Sequence, residues 1–209
     1  MRCEMTNASE KYIDAIRYLG DLYDFWNEKY YGGELVKPVI TIQADTKNKA
    51  TGWFVCGEVW HESAEEAGSV ELNISAQFLN RPAADIAETM LHELAHQYAH
   101  VNKMQDCSRG GSYHNKLFAR IAETHGLTVE KDSRIGWALT KLSPAAAELF
   151  AGFSSEHKLI YRDPDKRGMK VKSSSTRKYI CPICGTSVRA TKRVAIMCAE
   201  CMELMYEEE

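Results

Sequence analysis

The pentapeptide His92-Glu93-Leu94-Ala95-His96 constrains the fold of this chain more than any other feature. It lies in a run from Ala83 to about Val101 that contains strong helix formers without interruption. Pro82 stands just before this run, where proline favours the first turn of a helix. Residues four apart on a helix lie one above the other, so a helix brings both imidazoles to one side, with Glu93 beside them.

This spacing is typical of a zinc site that carries out hydrolysis. Such a site takes three protein ligands and leaves one position for a water molecule, whose pKa the ion lowers toward neutrality. An adjacent carboxylate can then accept a proton from that water. We therefore predict that His92 and His96 bind zinc, and that Glu93 is the catalytic general base rather than a ligand.

Residue chemistry alone leaves the third ligand open. His100 lies eight residues after the first histidine, about 12 Å along the helix axis, which is too far to share one ion easily. His114 follows the loop SRGGSY and begins a second amphipathic stretch, HNKLFARIAETHG, which could fold back beneath the first helix. Glu123 and His125 lie on the same stretch, where Gly126 resembles a helix stop and makes His125 a partner for the helix C-terminus. These observations favour His114 only modestly.

Four of the seven cysteines form two close pairs near the end of the chain. Two C-x-x-C pairs separated by thirteen residues are typical of a zinc ribbon, in which the metal substitutes for a core too small to fold alone. Four thiolates leave the ion no open position, so we predict a structural zinc bound by Cys181, Cys184, Cys198 and Cys201. Cys3, Cys56 and Cys107 are scattered and are interpreted as reduced thiols, which favours a reducing compartment.

The remaining periodicities indicate an α+β fold. Residues 8–31 have helical spacing and end at Gly32-Gly33, and three β-rich segments, 38–44, 50–59 and 69–75, predict a short antiparallel sheet. We divide the chain into a catalytic domain over 1–155, a basic, serine-rich connector over 156–177 and a zinc ribbon over 178–206. The length of 209 residues suits one substantial core and one small module.

Charge is distributed unevenly along the chain. Residues 158–197 contain eleven Lys or Arg and two Asp, a net charge of +9, whereas residues 1–157 carry −7 and residues 198–209 carry −5. The basic block is either a solvated linker or a phosphate-binding surface. Tyr161 and Tyr179 could stack on exposed bases or serve only in packing. The basic side chains in question are Lys166, Arg167, Lys170, Lys172, Arg177, Lys178, Arg189, Lys192 and Arg193.

No apolar run is long enough to cross a bilayer, and the first residues show no secretory signal, so we expect no membrane partner. The expected location is cytoplasmic, which means the nucleoid in a bacterium or the nucleus in a eukaryote.

The chain resembles the SprT-like zinc metallopeptidase family, which includes the Spartan DNA-protein crosslink protease group. The first helix, the β segments, the run ETMLHELAHQY, the run SRGGSYHNKLF and the C-terminal cysteines carry this resemblance. It implies a minimal zincin-like domain, with His114 as the third ligand of a His₃ zinc site completed by water. It also implies substrates that are proteins bound or crosslinked to DNA, with the ribbon helping to engage nucleic acid.

The sequence therefore predicts a zinc-dependent endopeptidase that acts on DNA-associated proteins. The alternative is a DNA-associated zinc-binding regulatory protein with little or no proteolytic activity. No donor to the oxyanion can be assigned, although Tyr113, Arg109 and His61 are conceivable. An extended peptide could add to the strand around Thr51 to Val59 or to the strand around Val70 to Ser75.

Overall fold

The fold was determined as a computed structural model, which describes residues 7–45, 49–153, 158–164 and 176–208. The chain divides into two compact units, Met1–Asp165 and Lys166–Glu209. Lys158 to Pro164 belong to the first unit, where the Arg162 backbone N–H donates to the carbonyl of Ala76 at 2.9 Å. Of the segment predicted as a connector, residues 156–157 and 165–175 lie outside the described residues.

The first unit is built on two long helices. Helix α1 (Ala8–Tyr31) begins at a capping box formed by Asn7 and Glu10, and ends at Gly32, whose φ of 63° is readily adopted by glycine. Helix α2 (Ala83–Val101) begins after Pro82. The indole N–H of Trp26 donates to the carbonyl of Ala87 at 3.0 Å, which fixes the two helices against each other. Both helices were predicted with these bounds.

A three-stranded sheet packs beside α2. It consists of β1 (Val39–Thr41), β2 (Gly52–Trp60) and β3 (Ser69–Ile74), in the order β1-β3-β2. The prediction of an antiparallel sheet is wrong for one pair, because β2 is antiparallel to β3 whereas β1 is parallel to it. The chain leaves β1, crosses the end of the sheet to β2 and returns through β3, so β3 runs in the direction of β1. The Asn73 side chain stabilises this parallel pair by accepting from the Thr41 hydroxyl and the Gln43 backbone N–H.

A second sheet, not predicted from the sequence, covers the other side of α2. It has four strands in the order β4-β5-β7-β6, namely β4 (Cys107–Ser108), β5 (Tyr113–His114), β6 (Leu127–Asp132) and β7 (Gly136–Leu142). Helix α3 (Lys116–Thr124) connects β5 to β6, and α4 (Pro144–Phe153) follows β7. The core between these layers contains Leu22, Trp26, Leu72, Leu94 and Phe118, all fully buried.

The second unit contains only short strands in its described part. Strands β8 (Arg177–Ile180), β9 (Ser187–Ala190) and β12 (Tyr206–Glu208) form an antiparallel sheet in the order β12-β8-β9. Strands β10 (Met197–Cys198) and β11 (Glu203–Leu204) form a separate hairpin. The architecture of the whole chain is thus mixed α+β with small sheets. Among the described residues, no helix is long and apolar enough to span a membrane.

Candidate active site

Two histidines and a glutamate share one turn of α2. The rings of His92 and His96 have centroids 5.0 Å apart, as their i,i+4 spacing requires. Glu93 lies between them in sequence and is 5% exposed. Its neighbours Leu91, Leu94 and Ala95 are fully buried, so the motif is fixed to the helix face that also contacts the core.

His114 reaches this turn from β5, after a chain reversal that begins at β4. Cys107 is its cross-strand partner, and its backbone N–H donates to the carbonyl of Ile135 at 3.0 Å. Gly136 stands beside it with φ of 75°, and a Cβ at that position would lie 2.1 Å from the His114 carbonyl oxygen. Because no side chain fits there, glycine at 136 is what allows β7 to support His114.

The three imidazoles converge through their Nε2 atoms. The Nε2 atom of His114 lies 3.3 Å from that of His92 and 3.0 Å from that of His96. Two nitrogens bound to one tetrahedral ion at about 2.05 Å would be about 3.3 Å apart, so the spacing fits a zinc ion. The three residues form a group that could hold a metal ion, and the sequence could not place them together on residue chemistry alone.

Each histidine has a different environment at Nδ1. The Nδ1 atom of His96 lies 2.5 Å from a carboxylate oxygen of Asp106. The Nδ1 atom of His92 lies 3.1 Å from the hydroxyl of Thr140, which in turn donates to Glu88 at 2.6 Å. The Nδ1 atom of His114 is buried and makes no hydrogen bond of ordinary geometry among the described residues, although an interaction with the Ile135 backbone acts to raise the pKa of the ring.

Sequence reasoning missed these three outer residues. Glu88 stands four residues before His92, so the helical period could have indicated it. Asp106 and Thr140 carry no comparable signal, because loop and hairpin geometry bring them to the site.

Burial, hydrogen bonds and neighbouring charges together set the pKa values of the histidines at the site. Desolvation lowers the pKa of His92 well below its usual value and, together with the charge of His96, lowers that of His114 to about 4. For His96 burial also acts to lower the pKa, but hydrogen bonds to Asp106 and Cys107 and the charges of Glu93 and Asp106 raise it to about 10. Two of the three rings are therefore neutral near pH 7, as metal ligands must be, and at His96 a metal would compete with a proton.

Glu93 is held under strand β2. Desolvation, reinforced by Asp106, raises its pKa to about 7, although the charge of His96 and the backbone N–H of Phe54 act in the opposite direction. A Cβ at Gly52 would lie 3.2 Å from a Glu93 carboxylate oxygen and 2.9 Å from both the Asn73 carbonyl oxygen and the Thr89 methyl carbon. Glycine at 52 thus permits the strand to approach the helix closely at the position of this carboxylate.

A cleft of about 440 Å³ opens over the three histidines and Glu93. One wall comes from β2, through Gly52, Trp53, Phe54 and Cys56, and the other includes Met104 to Cys107. Of the two strands considered for adding a peptide, β3 is central in its sheet and β2 lies at the edge. Of these two strands, β2 is therefore the one with an edge that no other described strand pairs with, and part of it lines the cleft.

The rival ligands lie outside the cluster of three histidines. His100 is exposed and lies beside the Phe54 ring, with centroids 5.7 Å apart. Glu123 is exposed on α3. His125 caps α3 through a 2.7 Å contact between its Nδ1 and the carbonyl of Ile121, and it stacks on Tyr31 at 4.3 Å.

None of the three conceivable oxyanion donors is among the described residues that line the cleft. The guanidinium of Arg109 lies over the ring of Tyr113, 4.6 Å from its centroid. The Nδ1 atom of His61 lies 3.5 Å from the carbonyl of Glu66.

Four cysteines converge in the second unit. Cys181, Cys184, Cys198 and Cys201 form a group that could hold a metal ion, and the sulfurs of Cys184 and Cys198 are 3.7 Å apart. Two thiolates bound to a tetrahedral zinc ion at about 2.3 Å would be about 3.8 Å apart. The Gly185 N–H donates to the carbonyl of Cys181 at 3.0 Å and closes the first turn. This spacing fits a zinc ion with four sulfur ligands.

Ion pairs within the second unit compensate part of its basic charge. Glu207 on β12 pairs with Arg177 at 3.2 Å and with Arg193 at 3.1 Å, and Glu208 pairs with Lys178 at 2.7 Å. The predicted contributors Lys166, Arg167, Lys170 and Lys172 lie outside the described residues, whereas Arg189 and Lys192 are exposed.

The two tyrosines considered for base stacking differ in exposure. Tyr179 is buried, and its hydroxyl accepts from the Val194 backbone N–H at 3.2 Å. These contacts make Tyr179 a packing residue. Tyr161, in contrast, is 48% exposed.

The profile of the SprT-like family matches residues 19–134, which are 116 of the 209 residues. The matched region includes α2 and all three clustered histidines, and excludes Thr140 and the four clustered cysteines. No match was found among curated proteins or among solved structures.

Proposed function

Because this chain belongs to the SprT-like family, we propose that it is a zinc-dependent endopeptidase with a zincin-like catalytic domain. The convergence of three Nε2 atoms beside a buried glutamate is the observation that carries the proposal. His92, His96 and His114 would hold the ion. A zinc ion bound in this way polarises a carbonyl group and lowers the pKa of a coordinated water.

The other parts of the reaction fall to residues of this chain. Strand β2 offers its free edge to an extended peptide, which would be held by main-chain hydrogen bonds beside Glu93. Glu93 takes a proton from the attacking water and delivers it to the leaving amine nitrogen. Asp106 keeps the proton of His96 on Nδ1, so that Nε2 is free to bind the metal.

Metal removal tests this proposal. We expect two zinc ions per chain, and we expect a chelator to remove the ion at the histidines first, because that site has three protein ligands and an open position. Hydrolysis of an unfolded protein should stop with the loss of the first ion and return when zinc is added. The measurements are zinc content by elemental analysis and cleavage by gel. A single zinc ion that disappears only when Cys181 or Cys198 is replaced would contradict the catalytic site.

We also propose that the substrates are proteins bound to DNA, and that the second unit is a zinc ribbon that engages the nucleic acid. The support is the resemblance to DNA-directed peptidases together with Arg189 and Lys192, which are exposed on the ribbon. Positive side chains that neutralise phosphates release counterions, which makes binding sensitive to salt. The acidic residues 1–157 would meanwhile remain available to the protein substrate.

Charge reversal at the ribbon should weaken DNA binding and DNA-stimulated cleavage together. For Arg189→Glu combined with Lys192→Glu, we expect the slope of log K against log salt to lose about 1.4 to 1.8 units of magnitude, since each phosphate contact contributes about 0.7 on single strands and about 0.9 on duplexes. The matched control is Lys11→Glu with Lys29→Glu on α1, which changes net charge equally. Fluorescence anisotropy across a salt series measures DNA binding by both variants. Equal weakening by the two variants would overturn the assignment to the ribbon.

A further inference from the structure

A hydrogen-bonded relay connects His92 to a carboxylate that the metal centre does not otherwise use. Thr140 lies on β7, is 6% exposed, and donates its hydroxyl proton to Glu88 at 2.6 Å. The same hydroxyl lies 3.1 Å from Nδ1 of His92. A threonine hydroxyl has one proton. Because that proton is used in the hydrogen bond to Glu88, the hydroxyl can only accept a hydrogen bond from His92. His92 must then carry its proton on Nδ1, which leaves the Nε2 lone pair directed at the other two histidines.

The fold builds this relay from one face of helix α2 and one strand, β7. Glu88 and His92 are four residues apart and therefore lie on the same side of α2. Thr140 arrives 48 residues later on β7, between the exposed Leu139 and Lys141. Lys141 also approaches Glu88, with 3.5 Å between its Nζ and the second carboxylate oxygen. The two carboxylate oxygens of Glu88 thus have separate partners, Thr140 at Oε1 and Lys141 at Oε2.

We propose that Thr140 and Glu88 are positioning residues that fix the tautomer and orientation of His92 for metal binding. This inference rests on the proposed function. It makes the three ligands unequal, because His96 bonds to Asp106 directly, His92 reaches Glu88 through a hydroxyl, and Nδ1 of His114 has no side-chain partner in the described chain. Partners of metal-bound histidines commonly change metal affinity or activity by about 10- to 100-fold.

The test is the zinc affinity of the full-length protein, measured by competition with a chromophoric chelator. Thr140→Val preserves shape and removes the hydroxyl, and we expect it to weaken zinc binding at the histidines by about 10- to 100-fold. Thr140→Ser restores the hydroxyl and should return the affinity to within about threefold of the wild type, since Ser and Thr hydroxyls have the same donor and acceptor capacity. Thr124→Val, at an exposed threonine on α3 whose hydroxyl donates to the carbonyl of Arg120 within the same helix, is the matched control and should leave the affinity unchanged.

Cobalt substitution provides a second measurement that packing alone would not change. The visible absorption of Co²⁺ at the histidine site should shift in Thr140→Val and not in Thr140→Ser, at matched occupancy. Wild-type affinity and spectrum in Thr140→Val would overturn the relay, as would a serine variant as weak as the valine variant. If His114→Ala instead kept the zinc content of the wild type, the proposed metal centre would be overturned. The two failures can therefore be distinguished.

Discussion

Replacing Glu93 by glutamine should lower peptide hydrolysis by about 10²- to 10⁴-fold while the zinc content stays at the wild-type level. Glutamine has nearly the same shape but cannot accept the proton of the attacking water. Metal binding should persist, because the carboxylate is adjacent to the cluster of histidines and is not a member of it. Folding should persist as well, since a neutral side chain is easier to bury than a carboxylate at a site where burial already raises the pKa of Glu93 to about 7.

The measurement is the rate of cleavage of a DNA-bound protein together with zinc analysis of the same sample. Glu123→Gln is the matched control, since Glu123 is exposed on α3 and should keep full activity. Cleavage by Glu93→Gln at more than a tenth of the wild-type rate would mean that Glu93 is not the general base. If the wild type cleaved as little as Glu93→Gln, with negligible activity in both, the result would favour the alternative of a zinc-binding regulatory protein.

Replacing His114 by alanine should remove both the metal and the activity. Its Nε2 atom lies within 3.3 Å of both other Nε2 atoms, so its loss leaves only two protein ligands. We expect zinc at this site to fall below detection after dialysis, with activity reduced at least as much as in Glu93→Gln. Zinc at the four cysteines should remain, because that site has its own ligands.

His125→Ala offers a comparison with a different expected result. Its imidazole caps α3 and stacks on Tyr31, so its removal should cost about 1 kcal/mol of unfolding free energy and leave zinc and activity intact. Urea denaturation and zinc analysis separate the two effects. If Glu123→Ala lost the metal and His114→Ala kept it, the site would belong to a His-His-Glu class.

Local sequence signals were sufficient for the two long helices of the first unit, α1 and α2, whereas α4 was not predicted. Both ends of α1 and the start of α2 follow from Asn7, Gly32 and Pro82, which act through caps and fixed dihedral angles within a few residues. The i,i+4 spacing likewise brings His92 and His96 together without knowledge of the remaining fold. These features depend on short-range geometry, which a single sequence encodes directly.

The second sheet and the third ligand depend on contacts that are distant in sequence. Strands β4 and β5 are two residues long, which is too short for any periodicity. His114 is placed by a parallel contact with Gly136, and Thr140 meets His92 across 48 residues. Residue chemistry therefore favoured His114 over Glu123 only modestly, and the family resemblance was needed to decide.

Charge summed along the sequence also differs from charge presented at a surface. The basic block and the acidic end were counted as separate segments, yet β12 pairs with β8 and brings Glu207 and Glu208 to the basic side chains. Exposed ion pairs of this kind contribute little to stability, but they reduce the number of cations available to a polyanion.

The contact between Glu93 and the backbone of β2 has a consequence for substrate choice. The Phe54 backbone N–H favours the charged form of this carboxylate, and glycine at 52 lets the strand approach it closely, so the base lies beside β2. A peptide on the edge of that strand would be held through amide groups, which every residue except proline supplies in full. Cleavage should then be indifferent to residue type and selective for unfolded, proline-poor stretches. Which protein is cut would be decided by how long an extended segment stays near the enzyme, not by a recognition sequence.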